Sequence, residues 1–192
     1  MDIIVTNLTK AFNNQIVLNN FSATFKEGSF TCIMGKSGVG KSTLLSIMLG
    51  LSKADSGNIT GLNPKVISAV FQENRLCDNL SAPYNIKMVI PNPNVNTDFV
   101  INEYLEKVGI DSTSKKPVSE YSGGMKRRVA ILRGLLTDFD VLIMDEPLKG
   151  LDSETKAQVI SVIKELTQNK TVIMTTHDAS DAKAFNADII TL

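Results

Sequence analysis

The chain has 192 residues, of which 43% are hydrophobic and 21% are charged, so it can bury one sizeable core. Twenty basic residues balance twenty acidic ones, and no overall positive field favours a nucleic-acid partner. No apolar run approaches the roughly 18 residues that a membrane span requires. We therefore expect a protein that is soluble by itself and that reaches any membrane through a partner.

The two cysteines, Cys32 and Cys77, lie in different surroundings, the first in an apolar run and the second in a polar stretch. This fits a reduced intracellular chain better than it fits a disulfide. The N-terminus lacks the basic start and the long apolar core of a signal peptide, so we expect no leader.

The N-terminal part of the chain has the residue types of β-strands. Segments 3–7 and 16–25 are rich in β-branched and aromatic residues and predict two strands, with Asn13 and Asn14 as the turn between them. Downstream, the same reasoning predicts an apolar strand beginning at Phe30, a helix over 43–49 that ends at Gly50, and short strands at 58–60 and 66–71.

A glycine-rich segment lies between the strand at Phe30 and the following helix. Its glycines allow successive backbone N–H groups to point at one anion. The helix that begins near Lys41 adds the positive end of its dipole. Lys41 supplies a full charge for the β- and γ-phosphates, and Ser42 supplies a hydroxyl ligand for Mg²⁺. The pattern predicts a nucleoside-triphosphate site made by Gly35, Lys36, Ser37, Gly38, Val39, Gly40, Lys41, Ser42 and Thr43.

The middle of the chain changes character. Residues 72–96 are rich in Asn and Pro and show no strand alternation, whereas 97–109 predicts an amphipathic helix capped by Thr97 and ended by Gly109. A second helix starts near Ser122. Its basic residues Lys126, Arg127 and Arg128 favour a solvated helix face. We interpret roughly 73–136 as a helical lobe inserted in a core made of 1–72 and 137–192.

The C-terminal part again predicts strands alternating with helices. Residues 141–144 form a continuous apolar run, typical of a strand buried on both faces, which ends at Asp145 and Glu146. A helix over 153–167, a strand over 171–175 and a last strand over 187–192 follow. This alternation implies an α/β fold with a mostly parallel sheet.

Two carboxylates follow the buried strand at 141–144. An Asp in this position, downstream of a phosphate-binding loop, is the expected carboxylate on the Mg²⁺ side, so Asp145 is the candidate, acting through a water. Glu146 would project from the same strand end and can polarise the water that attacks the γ-phosphate. The alternative is a pair of residues that caps a loop or helix.

Tyr121, Ser122, Gly123, Gly124 and Met125 precede the second helix of the middle segment. One interpretation is a Ser N-cap with flexible glycines. The other is a second set of backbone N–H groups that binds an anion. One γ-phosphate does not need two such sets on one subunit, so the second interpretation requires nucleotide held by another copy.

In this order, the motifs resemble those of the nucleotide-binding subunit of an ATP-binding cassette (ABC) transporter, over nearly the whole chain. The similar segments are Walker A at 35–43, the Q-loop at 70–73, the signature at 121–125, Walker B at 141–146, the D-loop at 150–152 and the H-switch at 176–178. Met125 replaces the usual Gln of the signature, and Lys149 and Gly150 replace the usual small residues at the D-loop.

The resemblance implies a fold and a set of site residues. The fold is a P-loop NTPase core with a mostly parallel sheet, an N-terminal antiparallel β subdomain and an inserted helical subdomain. Each ATP would lie between Walker A of one subunit and the signature of the other, made by Ser122, Gly123 and Gly124. The further roles are Gln72 as a contact of Mg²⁺ or the attacking water, His177 on the γ-phosphate, Asp152 as a bridge to the opposite subunit, and Phe12 stacked on adenine.

Three of these roles have structural alternatives. His177 fits a purely structural histidine, Asp152 fits an N-cap of the following helix, and Phe12 fits a hydrophobic plug between turns.

The resemblance also implies an activity and partners. The chain would be a Mg²⁺-dependent ATPase that pairs with a second ABC subunit, as a homodimer or a paired cassette, and drives transport by a separate transmembrane permease. A substrate-binding protein is a further expected partner, and nucleic acid is not. Its location would be cytoplasmic, at the inner face of the cell membrane, as a minimal cassette without a C-terminal regulatory domain.

Two other functions stay open. One is a soluble ABC ATPase of the iron–sulfur assembly or cell-division type, which works without a transporter. The other is a nucleotide-binding module that does not hydrolyse, against which Glu146 and His177 argue.

Overall fold

The computed structural model describes residues 1–13 and 15–192, so the predicted turn residue Asn14 lies outside the described residues. The contacts group the chain into two units. The first consists of Met1–Ile67, Phe139–Glu146 and Asn169–Leu192, and the second of Ser68–Asp138 and Pro147–Gln168. The predicted partition into a core and an inserted helical lobe of about 73–136 stays a prediction.

The elements follow the predicted alternation. The strands are β1 (Ile3–Phe12), β2 (Gln15–Phe25), β3 (Phe30–Met34), β4 (Ser56–Thr60), β5 (Ile67–Val70), β6 (Val141–Asp145), β7 (Thr171–Thr176) and β8 (Asp188–Thr191). The helices are α1 (Lys41–Met48), α2 (Ala82–Lys87), α3 (Thr97–Lys107), α4 (Gly123–Leu135), α5 (Ser153–Leu166) and α6 (Ala179–Ala184), with one turn of 3₁₀ helix at Val118–Glu120.

An antiparallel sheet with the order β2-β1-β4 forms part of the first unit. Strand β1 extends well beyond the predicted segment 3–7. The predicted segment ended with Asn7, a residue type that is depleted in strands. In the structure Asn7 has a φ of 50° within a register shift, its N–H donates to Ser22 Oγ, and pairing resumes at Leu8. A bulge therefore absorbs the unfavourable residue and the strand continues.

The parallel sheet of the first unit contains β6, β7, β3 and β8, side by side in that order. All six residues of β7 and the first four of β6 are buried, as the continuous apolar run of β6 predicts. Helix α1 packs its apolar face into the same core, whose members include Ile33, Leu44, Leu45, Ile143 and Ile173. The predicted α/β fold with a mostly parallel sheet and an N-terminal antiparallel sheet is confirmed.

The second unit contains α2, which the sequence did not predict. Pro83, one of the prolines of the segment 72–96, lies in the first turn of α2, where Pro is tolerated. Asn85, from the same Asn-rich segment, is fully buried. Its Oδ1 accepts from the N–H of Cys77, and its Nδ2 donates to the carbonyls of Leu80 and Ser81. Asn85 thus joins α2 to the segment before it.

The cap predicted for α3 is wrong by one residue. Asn96 is the N-cap, and Thr97 is the first helical residue. The hydroxyl of Thr97 accepts from the N–H of Asn94 instead. The predicted apolar face is confirmed, with Ile101 and Leu105 buried.

The prediction of a solvated face is wrong for Arg127 and Arg128. Only 5% of Arg127 is exposed, and its guanidinium donates to backbone carbonyls. Arg128 donates to the carbonyls of Val108 and Gly109. The charges sit against loops of the second unit because the planar guanidinium can satisfy several carbonyl oxygens at once.

Both cysteines are free thiols. Cys32 lies within β3, and its burial, aided by Asp181, raises the pKa of the thiol to about 12. Across residues 1–13 and 15–192, no helix combines the length and the apolar character that crossing a bilayer requires.

Candidate functional site

The first unit brings three predicted motifs to one edge of its parallel sheet. Strands β6, β7 and β3 are neighbours, with Met34 opposite Thr176 and Asp145 opposite Thr175. The glycine-rich loop after β3, Glu146 after β6 and His177 after β7 therefore all begin at the carboxyl edge, where α/β sheets bind ligands. With one strand between them, β3 and β6 are two strand spacings apart, about 10 Å.

The loop after β3 has the backbone that phosphate binding requires. Gly38 and Gly40 have φ values of 80° and 114°, a region that residues with a Cβ seldom adopt. The ammonium of Lys41, which is 6% exposed, donates to the carbonyls of Gly35 and Lys36 at 2.8 and 3.0 Å. The charge is thus held inside the loop that precedes α1.

The other loop residues surround this charge. Lys36, Ser37 and Gly38 are exposed, and Val39 is half-buried. Ser42 and Thr43 lie in the first turn of α1, and Ser42 is exposed. Backbone N–H groups of this turn have no partner within the helix, and they are the natural donors for phosphate oxygens.

Replacing Gly40 with Ala is expected to destabilise the chain and weaken ATP binding. A Cβ at Gly40 would lie 2.8 Å from the Val17 carbonyl oxygen and 3.0 Å from Leu18 Cδ2, at a φ of 114°. We expect a loss of about 1–3 kcal/mol in the free energy of unfolding and at least about a tenfold rise in the Kd for ATP. Urea unfolding and nucleotide titration measure both.

Gly38 provides the matched comparison, since a Cβ there meets nothing within 4 Å although φ is 80°. Gly38→Ala should lose less stability than Gly40→Ala. Equal stabilities of the two variants would show that the contact with Val17 does not shape the loop.

The carboxylate of Asp145 and the backbone of Glu146, at the end of β6, are held by one threonine of β7. Thr175, which is completely buried, donates its hydroxyl hydrogen to Asp145 Oδ1 and accepts from the backbone N–H of Glu146 at 2.9 Å. Glu146 has a φ of 44°, a strained conformation for a residue with a Cβ. Such strain persists where the surroundings impose it, and it is common at functional sites. Thr175 was not predicted as a site residue.

His177 lies next to Glu146. Its Nδ1 is 3.6 Å from Glu146 Oε1, and the imidazole is 60% exposed whereas the carboxylate is 12% exposed. An exposed ring beside a largely buried carboxylate is poorly suited to a purely structural role. The role of His177 on the γ-phosphate stays a prediction.

Phe12 ends β1 and is 48% exposed. The ammonium of Lys10, paired with Asp55 at 2.8 Å, lies 5.1 Å from the ring centroid. An exposed ring is not a hydrophobic plug, so the geometry favours a stacking surface. Adenine stacking itself stays a prediction.

The remaining predicted residues belong to the second unit. Ser122 is the N-cap of α4, with its Oγ accepting from the N–H of Met125. Gly123 and Gly124 open the helix, where a Cβ would meet nothing nearer than Leu151 at 3.9 Å. The N-cap interpretation is therefore confirmed, and it leaves the helix N-terminus open to an anion.

Asp152 is the N-cap of α5. Its Oδ1 accepts from the N–H groups of Glu154 and Thr155, and the Thr155 hydrogen bonds hold the pKa of this carboxyl below its usual range. This alternative is confirmed, while the bridge to an opposite subunit stays a prediction. Gln72 is exposed in the loop after β5.

The oxygen donors proposed for Mg²⁺ fit that ion by their chemistry. Ser42 offers a hydroxyl, Asp145 a carboxylate and Gln72 an amide oxygen, all hard ligands of the type that Mg²⁺ prefers. In the described part of the chain, no three His, Cys, Asp or Glu side chains form a cluster suited to a metal. A Mg²⁺ that is bound mainly by phosphates and water needs only one or two protein ligands.

Comparison with known proteins places these motifs in one family. A family model described as ABC transporter matches residues 18–149. The thiamine import ATP-binding protein ThiQ of Aliivibrio fischeri is 38% identical over 181 residues, which cover 87% of this chain and 77% of that protein.

A second relative is longer. The Fe(3+) ions import ATP-binding protein FbpC of Fusobacterium nucleatum is 32% identical over 96% of this chain and 53% of its own length. The chain thus spans about half the length of this relative.

Among solved structures, the ATP-binding cassette MJ0796, a dimer in a post-hydrolysis state bound to ADP and Pi, is similar with a TM-score of 0.85. Sequence identity is 28%, and the match covers 99% of this chain and 94% of that chain. The chain therefore belongs to the ABC transporter family, as one of its ATP-binding cassettes.

Proposed function

We propose that the chain binds and hydrolyses ATP as a subunit of an ABC transporter, forming a dimer around two ATP molecules. The observation that carries the proposal is the convergence of the loop holding Lys41, the carboxylates Asp145 and Glu146, and His177 at the carboxyl edge of one parallel sheet. Each group has the chemistry that phosphoryl transfer requires.

The chemistry follows from these groups. The N–H groups of the loop and Lys41 bind the β- and γ-phosphates and bear the charge that develops in the transition state. Glu146 polarises a water that attacks the γ-phosphorus, while the bond to the ADP oxygen breaks and phosphate leaves. His177 contacts the γ-phosphate. Ser42, Gln72 and Asp145 would hold a Mg²⁺, which would supply positive charge that offsets the charge of the phosphates.

The signature completes the site from a second copy. Ser122, Gly123 and Gly124 present the N-terminus of α4, a helix of 13 residues whose partial positive charge suits an anion. The dimeric state of MJ0796, at 28% identity, supports this arrangement. In the dimer, Asp152 would contact the opposite subunit and Phe12 would stack on adenine.

The dimer acts on a transmembrane permease. ThiQ and FbpC are import ATP-binding proteins by name, which favours import. Their named cargoes differ, so the cargo of this chain is left open. We place the chain at the cytoplasmic face of the membrane, with the permease contact near residues 72–80. The helical lobe would be about 73–136, and the core would be made of 1–72 and 137–192.

Purification from detergent-solubilised membranes tests this proposal. A tagged chain should retain a protein with several membrane spans and should hydrolyse ATP in a Mg²⁺-dependent manner. The Glu146→Gln variant, which should hold ATP, should retain the same protein. Capture of soluble iron–sulfur assembly or cell-division proteins, with no membrane protein, would instead support the ATPase that works without a transporter.

A further inference from the structure

The loop that carries Gln72 is held by the side chain of Arg127 from α4. Residues 71–75 form neither helix nor strand, and Gln72 itself is exposed. The Nη1 of Arg127 donates to the carbonyl oxygen of Phe71 and, over 3.3 Å, to that of Gln72. It also lies 3.4 Å from Asn74 Oδ1. The backbone on both sides of the Gln72 side chain is therefore fixed from one guanidinium.

A second arginine of α4 holds the next part of this loop. Arg133 donates to the carbonyls of Asn74 and Arg75 at 3.0 and 2.8 Å. The guanidinium of Arg75 in turn lies over the Phe71 ring, 3.7 Å from its centroid. The carbonyls of Phe71, Gln72, Asn74 and Arg75 thus all accept from α4.

Arg127 is itself fixed at its other end. It is only 5% exposed, and its Nε donates over 2.8 Å to the carbonyl of Pro147, the residue that follows Glu146 in the chain. Only arginine can make both sets of hydrogen bonds, because its planar guanidinium holds Nε and Nη1 in fixed directions. A lysine ammonium is a single point charge and cannot reach the Pro147 carbonyl and the loop carbonyls together.

Arg127 lies on the same helix as the signature. It lies five positions after the N-cap Ser122, a distance of about 7.5 Å along an α-helix. One unbroken helix therefore carries both the signature and the arginine that holds the Gln72 loop.

We propose that Arg127 is a positioning residue for Gln72, holding the backbone on both sides of the amide that the proposed function assigns to the attacking water or Mg²⁺. This inference rests on the proposed function. In the proposed function Arg127 is not a contact of ATP. It therefore acts on the rate of hydrolysis and not on the affinity for ATP. Arg133 supports the same loop one step further from Gln72.

A double-mutant cycle between Arg127→Lys and Gln72→Ala tests the proposal. We expect Arg127→Lys to lower kcat about tenfold, equivalent to about 1.4 kcal/mol, with the ATP affinity changed by less than about twofold. Gln72→Ala should lower kcat at least as much. The double variant should be no slower than Gln72→Ala alone, because Arg127 acts only through Gln72.

The matched control is Arg128→Lys, the same change one residue along, in a side chain that donates to the carbonyls of Val108, Gly109 and the signature residue Gly124. The change in melting temperature of Arg128→Lys should resemble that of Arg127→Lys. In the double variant of Arg128→Lys and Gln72→Ala, however, the two reductions in kcat should multiply. Arg133→Lys is a second variant with the same expected dependence on Gln72, and it remains informative if Arg127→Lys unfolds.

Multiplicative effects of Arg127→Lys and Gln72→Ala, or an unchanged kcat in Arg127→Lys, would overturn the inference. Should Arg127→Lys unfold, the same two results for Arg133→Lys overturn it. The proposed function fails separately, through a Glu146→Gln variant that hydrolyses ATP normally.

Discussion

Replacing Glu146 with Gln should lower the rate of ATP hydrolysis by at least about 100-fold, because an amide cannot accept the proton of the attacking water. The change is nearly isosteric and leaves the backbone hydrogen bond from Glu146 to Thr175 in place. ATP binding through Lys41 should therefore survive. The variant should accumulate as an ATP-bound dimer, which size-exclusion chromatography with bound-nucleotide analysis detects.

Glu106→Gln is the matched control for this experiment. Glu106 Oε1 accepts from the N–H of Ser112 on the second unit, and an amide oxygen can keep that bond. Its hydrolysis rate should equal that of the wild type. Normal turnover in Glu146→Gln would remove Glu146 as the catalytic carboxylate.

Replacing Gly124 with Asp should lower turnover about 100-fold while the monomer binds ATP normally. A Cβ at Gly124 meets only Leu151 Cδ2, at 3.9 Å, so the fold accepts a side chain there. In the dimer the new carboxylate would face the phosphates of the other copy, and such like-charge contacts cost several kcal/mol. ATP affinity at low protein concentration and kcat at high concentration separate the two effects.

Two control variants, Gly124→Ala and Asn102→Asp, separate the effect of side-chain size on turnover from the effect of the added charge. The first adds only a methyl group at the signature, and the second adds the charge at an exposed position of α3. We expect a small loss of turnover in the first and none in the second. A Gly124→Asp variant with normal turnover would show that the signature does not meet nucleotide.

The chemistry of this chain was predictable because it depends on local sequence. The phosphate-binding loop requires glycines and Lys41 within a few residues, and a buried apolar strand identifies the carboxylates that follow it. Parallel neighbours then bring Glu146 and His177 to one edge. The sheet order itself depends on contacts distant in sequence, so the alternation of elements predicted only that a parallel sheet exists.

The errors arose where distant contacts override local preference. Pro83 and Asn85 signal irregular structure in isolation, but Asn85 gains buried hydrogen bonds that compensate. The sequence around Arg127 is typical of a surface charge, but in the structure its guanidinium donates to carbonyls of the loop after β5. Thr175 lies within a buried strand, and nothing local indicates that its hydroxyl joins Asp145 to Glu146.

The dependence of hydrolysis on protein concentration tests most directly whether two copies form the complete site. The rate per chain of the purified protein, measured at saturating ATP over a wide dilution series, should rise with concentration. Gly124→Asp should flatten this rise. A rate per chain that stays constant on dilution, in a protein that sedimentation shows to be monomeric with ATP bound, would contradict the account.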